Sequence, residues 1–281
     1  MKILIVGAGD IGFDIVSRLV AEDHEITLIE SDADRCEWIK DQLDVIVING
    51  EGSDIEILKK AGIEDSDLVI GVTDADNTNL MVCMLAHQFG VPKKIARVTR
   101  YSPGMQKYVT ILQELTGIDS LINPYSETAK EIKELIEHPW ATDVVKFADG
   151  KIQLIGTKLN ISSPLIGKRL IDIAKEVKRE RFVLVAVNRN GKTIIPKGDT
   201  VIQKNDQLFL LGSDESVPII MSKVGKRKSK MEKVMIVGGG KVGSILAEQL
   251  EAMKITTTLI EKKRDKCFEL AQRLRKTLII Q

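Results

Sequence analysis

The stretch KILIVGAGDIG, Lys2 to Gly12, joins an apolar run to a G-x-G-x-x-G turn, and KVMIVGGGKVG, Lys233 to Gly243, repeats the arrangement later in the chain. The run ILIV reads as a short buried strand, and Ile11, Ile15, Val16, Leu19 and Val20 then recur at helical spacing. A strand, a glycine turn and a helix in that order make a pyrophosphate site. The helix N-terminus offers backbone N–H groups, and only glycine lets the main chain come close enough to use them. Gly7 makes the turn, Gly9 opens the approach to phosphate and Gly12 lets the helix pack on the sheet. Glu30 ends the next strand 18 residues after Gly12. A carboxylate there accepts both ribose hydroxyls of an adenosine and disfavours a 2′-phosphate, which favours NAD over NADP.

Outward from this turn, the strand-like runs EITLIE, DVIVING, SDLVIGVT and KKIARVT alternate with the helical patterns DADRCEWIKDQL, DIEILKKAGI, NTNLMVCMLAHQFG and GMQKYVTILQELTG, and SLINP closes the series. Such alternation predicts an α/β fold with a doubly wound parallel sheet, Rossmann-like, over residues 1–123. SETAKEIKELIEHPW predicts an amphipathic crossover helix within 124–139, ended by Pro139. Residues 140–222 read as a small α+β second domain with a helix in LIGKRLIDIAKEVKRE and a hairpin at Asn190-Gly191. The basic, aperiodic 223–230 reads as a linker.

Residues 231–281 then form a partial second Rossmann repeat, with only β-α-β-α-β. Gly238, Gly239, Gly240, Lys241, Val242 and Glu261 stand where Gly7, Ala8, Gly9, Asp10, Ile11 and Glu30 stand in the first copy. Cys36 and Cys267 each follow their glutamate by six residues, which speaks for duplication rather than redox chemistry. Half a doubly wound sheet leaves an apolar strand edge. We therefore expect the chain to be a piece of a longer protein.

Among 281 residues, 41 Lys and Arg balance 40 Asp and Glu, so no global field recruits nucleic acid or an anionic membrane. No apolar run approaches the ~18 to 20 residues of a spanning helix. The chain reads as cytoplasmic, without direct membrane insertion. Three cysteines (Cys36, Cys83, Cys267) and three histidines (His24, His87, His138) form no metal-ligand pattern, and no catalytic constellation is visible. A NAD-dependent oxidoreductase is the alternative function, since the fingerprint alone says only that a dinucleotide binds. Hydride transfer usually needs an acid or base near neutral pKa, and residues 140–222 hold no histidine. The two fingerprints differ at Asp10 and Lys241, both at helix N-termini. Either the first site prefers NAD(H) and the second tolerates ATP, or both side chains face solvent and select nothing.

GAGDIG, VINGEGSD, GVTDADNTNLM, IARV, LINP and IPKGDTVIQKNDQLFLLG together resemble one family along the whole chain. It is the Trk potassium-uptake regulatory proteins, TrkA, built from RCK (KTN) domains. The resemblance implies NAD(H) binding, with ATP or ADP as further candidates, by Gly7, Ala8, Gly9, Asp10 and Ile11, by Glu30, by Thr73 and Asp74, and by Arg97. The family's loop after the third strand is Gly-Asp-Ala/Gly-Thr, whereas here Gly50 to Ser53 is Gly-Glu-Gly-Ser, which puts the contact from Glu51 in question. Asp74 and Asp76 could instead cap the following helix. The implied role is a non-enzymatic, homo-oligomeric regulatory subunit. It would sit at the inner face of the membrane through a TrkH-like potassium transporter subunit.

Overall fold

A computed structural model describes every residue except 100–105, 149, 177–181, 214 and 226–230. The chain divides into two compact units, Met1–Thr128 and Ala129–Gln281. In the first, β1 (Lys2–Val6), β2 (Glu25–Glu30), β3 (Ile46–Asn49), β4 (Leu68–Gly71), β5 (Lys93–Arg97) and β6 (Ser120–Ile122) form one parallel sheet in the order β3-β2-β1-β4-β5-β6. The order reverses between β1 and β4, which opens a crevice at the strand carboxyl ends. Helices α1 (Asp10–Val20), α2 (Ala33–Gln42), α3 (Ile55–Lys60), α4 (Asp76–Gln88) and α5 (Gln106–Thr116) connect the strands. Two apolar clusters hold the layers together, one around Leu4, Ile29, Leu58 and Val82, the other around Ile5, Val16, Leu28 and Ile39. Alternate residues of β1 supply both, because successive side chains of a strand point to opposite faces. Each such aliphatic side chain contributes roughly 1.5 to 3 kcal/mol by burial.

Helix α6 (Pro124–Glu137) crosses the boundary between the units. Beyond it β7 (Asp143–Phe147), β8 (Ile152–Lys158), β9 (Phe182–Arg189), β10 (Lys192–Ile194) and β11 (Gln207–Gly212) make an antiparallel sheet in the order β10-β9-β11-β8-β7. Asn190 and Gly191 turn the β9–β10 hairpin with φ of 52° and 79°, the left-handed pair that a tight hairpin demands. Helices α7 (Leu170–Glu176) and α8 (Ser216–Val224) belong to this part, whose core gathers Ile155, Ile173, Val187, Leu208, Leu210 and Val217. α7 starts later than LIGKRLIDIAKEVKRE suggests, because the backbone of Leu165–Arg169 is taken up by turns and by a bridge from Arg169 to Val201. The expected linker at 223–230 lies largely outside the described residues, since α8 runs to Val224 and 226–230 are not described.

The fully buried Asp206 accepts two hydrogen bonds from Arg189, both at 2.8 Å, and one from the Gln203 N–H at 2.8 Å. It ties β9 to the turn that enters β11.

The last segment is a parallel sheet of β12 (Lys233–Val237), β13 (Thr256–Ile260) and β14 (Leu278–Ile280), with α9 (Lys241–Ala252) and α10 (Arg264–Arg273) between. Among the described residues, β12 pairs with β13 alone. Val237 is therefore 80% exposed, whereas its counterpart Val6, flanked by β2 and β4, is 1% exposed. Glu251, at the end of α9, accepts backbone N–H bonds from Lys276 and Thr277 and so seats the turn that leads into β14. Among the described residues, no helix is long and apolar enough to cross a membrane.

Candidate functional site

At the carboxyl ends of β1, β2 and β4 lies a cleft of about 450 Å³ whose walls include Gly7, Ala8, Gly9, Glu30, Glu51, Thr73 and Asp74. That volume suits a small ligand. Gly7 has φ of 102°, and a Cβ there would stand 2.7 Å from the Thr73 nitrogen, so only glycine turns the chain this close to β4. A Cβ on Gly12 would strike the Gly7 carbonyl oxygen, so α1 can start here only with glycine at that position. Gly9 is the N-cap of α1, makes no side-chain cap and has open space around it. The first N–H groups of a helix lack intrahelical partners, and α1 begins directly after Gly9 on the cleft wall, the kind of arrangement that accepts an anion.

Glu30 stands at the end of β2. Its Oε2 accepts the Ala8 N–H at 2.6 Å, and its Oε1 accepts the Asp32 N–H at 3.0 Å and the Ser31 hydroxyl at 3.2 Å. These bonds aim the carboxylate, and its spare lone pairs remain for ligand hydroxyls. Cys36 packs behind it, with Sγ 3.4 Å from the Glu30 carbonyl, and burial pushes its thiol pKa up.

On the β4 side, Asn79 does what the sequence reading assigned to no residue. Wholly buried on α4, it accepts from the Thr73 N–H and hydroxyl and donates to the carbonyls of Thr73 and Arg97 at 2.8 and 2.9 Å. Its signal in the sequence is a polar residue on the stripe that buries Val82, Cys83 and Ala86. Replacing Asn79 by leucine takes the side-chain partner from the part-buried Thr73 N–H and Arg97 carbonyl and leaves the Thr73 carbonyl only its bond from Arg97, and we expect a loss of about 2 to 4 kcal/mol in stability by denaturant unfolding, with weaker ligand binding at the cleft.

Neither aspartate caps α4, since Ala75 occupies the N-cap position. Asp74 instead receives a bond from Arg97 at 2.8 Å, and Asp76 accepts from the Thr99 N–H at 2.9 Å. Arg97 is mostly buried, bonds the Thr73 carbonyl and Asp74, and has a buried Nε with no partner among the described residues. It is placed beside Thr73 and Asp74 rather than on the cleft wall. Asp10 and Ile11 open α1 with exposed side chains and are not on the wall either. Arg35, which the sequence reading did not single out, is on it.

The second fingerprint repeats the local geometry closely. Gly238 has φ of 105°, and Gly240 has φ −63° and ψ −172°, against −61° and −173° at Gly9. Glu261 accepts the Gly239 and Lys263 N–H groups at 2.9 Å each, and the bonds from Lys263 and then Gly239 hold its pKa below the ordinary carboxylate value. Lys241 and Val242 open α9. A wall like that of Thr73 and Asp74 is missing among the described residues, because no strand pairs with the free side of β12.

The residues present suit an adenine dinucleotide: a glycine cradle too tight for any Cβ at Gly7 and Gly12, free helix N–H groups, and an aimed carboxylate. The family description "TrkA-N domain" matches residues 3–124 and 234–281, and "TrkA-C domain" matches 156–223. The Trk system potassium uptake protein TrkA of Halomonas elongata is 35% identical over all of this chain, which covers 61% of that protein. The TrkA of Vibrio alginolyticus is 31% identical over 99% of this chain and is covered to the same 61%. The chain thus spans about three fifths of the length of these relatives. Among solved structures, the GsuK channel aligns with all of this chain and 53% of its own at a TM-score of 0.67 and 16% identity. The GsuK channel bound to NAD aligns with 99% and 52% at 0.65 and 17%. With its duplicated fingerprint and its parallel sheet in the TrkA-N segments, and β9, β10 and β11 of the small antiparallel domain in the TrkA-C segment, the chain belongs to the TrkA family.

Proposed function

We propose that the chain is the NAD(H)-binding regulatory part of a Trk-type potassium uptake system. The observation that carries this reading is the Glu30 carboxylate, held by the Ala8 and Asp32 N–H groups beside the glycine cradle at the mouth of the cleft. In it, the N–H groups that open α1 take the pyrophosphate and Glu30 takes the adenosine ribose. The names of the relatives, potassium uptake proteins, and the NAD-bound GsuK channel of similar fold support the assignment. ATP and ADP are further ligands of the same cradle, and the second fingerprint serves as a further nucleotide site where a fourth strand closes it.

No chemistry on the nucleotide is proposed. Among the described residues, the cleft wall carries Glu, Asp, Arg, Ser and Thr but no histidine, lysine, tyrosine or cysteine to act near neutral pH. Binding acts by linkage: a nucleotide that prefers one arrangement of assembled copies shifts them toward it, and a membrane transporter subunit of TrkH type reads the shift from the cytoplasmic side.

Mass spectrometry of the nucleotide that copurifies, followed by calorimetric titration with NADH, NAD, ATP and ADP, tests the reading. Saturable NADH binding without loss of 340 nm absorbance over a panel of carbonyl compounds is the expected result. Failure to bind any of the four removes the proposal, and turnover of NADH restores the oxidoreductase alternative.

A further inference from the structure

Arg35 lines the cleft beside Glu30 and Asp32, yet its guanidinium serves neither carboxylate. Its Nε donates to the Ala8 carbonyl at 3.0 Å, and its central carbon lies 4.4 Å from the centroid of the Trp38 ring and 5.6 Å from that of Phe13. Trp38 in turn packs on Phe13 at 4.8 Å between centroids. The guanidinium is therefore a braced plate, fixed at one edge and backed by an indole. Its terminal nitrogens have no protein partner among the described residues.

We infer that Arg35 is the stacking surface for the purine of the bound nucleotide, an inference that rests on the nucleotide reading of this cleft. Two ligand groups could meet such a plate, an anion or an aromatic ring. The neighbouring wall decides between them. Glu30, Ser31 and Asp32 line the same cleft wall as Arg35, so a phosphate there would meet two carboxylates, whereas a neutral ring meets only a flat cation. A ribose on Glu30 carries its base to this same end of the cleft. A planar guanidinium suits a ring face in a way that a lysine ammonium does not.

The repeat lacks the device. Lys266 and Glu269 stand in the places of Arg35 and Trp38, and the Lys266 ammonium lies 4.0 Å from Glu261. The purine plate belongs to the first cleft.

The test follows Trp38 emission in a Trp140→Phe background of the whole chain, titrated with NADH, ADP-ribose and UDP-ribose. Arg35→Met keeps the aliphatic stem and removes the plate. It should weaken NADH and ADP-ribose about tenfold and UDP-ribose, whose pyrimidine stacks less, about twofold. Trp38→Leu, read by calorimetry, keeps the charge and removes the brace, and should weaken NADH about threefold. Unchanged NADH affinity in a folded Arg35→Met protein overturns the inference, as does an equal loss for ADP-ribose and UDP-ribose, which would make Arg35 a phosphate ligand. No NADH binding by the unaltered chain removes the nucleotide reading itself, and the inference with it.

Discussion

Replacing Glu30 by alanine lowers NADH affinity by about 10²- to 10⁴-fold and leaves the fold of the first unit in place. Two charge-assisted hydrogen bonds to the ribose are lost, each worth roughly 1.5 to 3 kcal/mol, and 1.4 kcal/mol is a factor of ten. The Ala8 and Asp32 N–H groups, which the carboxylate accepts at 2.6 and 3.0 Å, border the cleft, and the space left by the side chain admits water to them. The parallel pairing of β1 with β2 does not depend on them. Calorimetric titration with circular dichroism of the same sample checks both halves. A folded Glu30→Ala protein that binds NADH as before would take Glu30 out of the site.

The second large effect lies in the antiparallel part. Asp206→Asn should destabilise it by about 3 kcal/mol, toward the lower end of the cost of breaking a buried pair, because Arg189 keeps 23% of its side chain exposed and recovers some hydration. Burial disfavours the charged Asp206, but the bonds from Arg189 and from the Gln203 N–H outweigh it and hold its pKa below the ordinary value. A depressed carboxylate pKa contributes stability that is fully present above the unfolded value, about 3.9, and is lost as pH falls through the folded value. Denaturant unfolding between pH 7 and pH 2 should therefore show an acid-side loss in the unaltered chain that is reduced in Asp206→Asn. Equal slopes for the two proteins would show that the pair carries no such linkage.

Much of the fold was legible because its signals are local. A run such as ILIV, short, β-branched and ended by glycine, reads as a buried strand, and each strand of the first unit is followed by a helix that needs a face to cover. The hairpin at Asn190-Gly191 was legible for the same reason, since the turn chemistry sits in two adjacent residues. The start of α7 was not, because turns and a bridge to Val201, far along the chain, occupy residues whose periodicity continues the helix. At the site, Gly7, Gly9, Gly12 and Glu30 follow from spacing alone, and the structure places Gly7, Gly9 and Glu30 on one wall, with Gly12 packed beneath. Arg35 and Asn79 did not stand out. A lone arginine on a polar helix and a lone asparagine within a helix have no spacing rule, and their roles arise from what faces them.

The sequence by itself determined the duplicated strand–glycine–helix units, the carboxylate that ends the second strand of each, and the small β-rich body between them. All of these rest on periodicity and on the conformational freedom of glycine, properties carried by neighbours in the chain. Only the tertiary structure decided which residues share the cleft: it brought Thr73 and Asp74 of the β4 end opposite Ala8, seated Asn79 beneath them, turned Arg35 onto Trp38 and set Arg97 beside Asp74 rather than on the wall. Those pairings join residues far apart in the chain, and sheet order and helix packing choose them, since a buried donor or acceptor must find its partner wherever the fold has placed one.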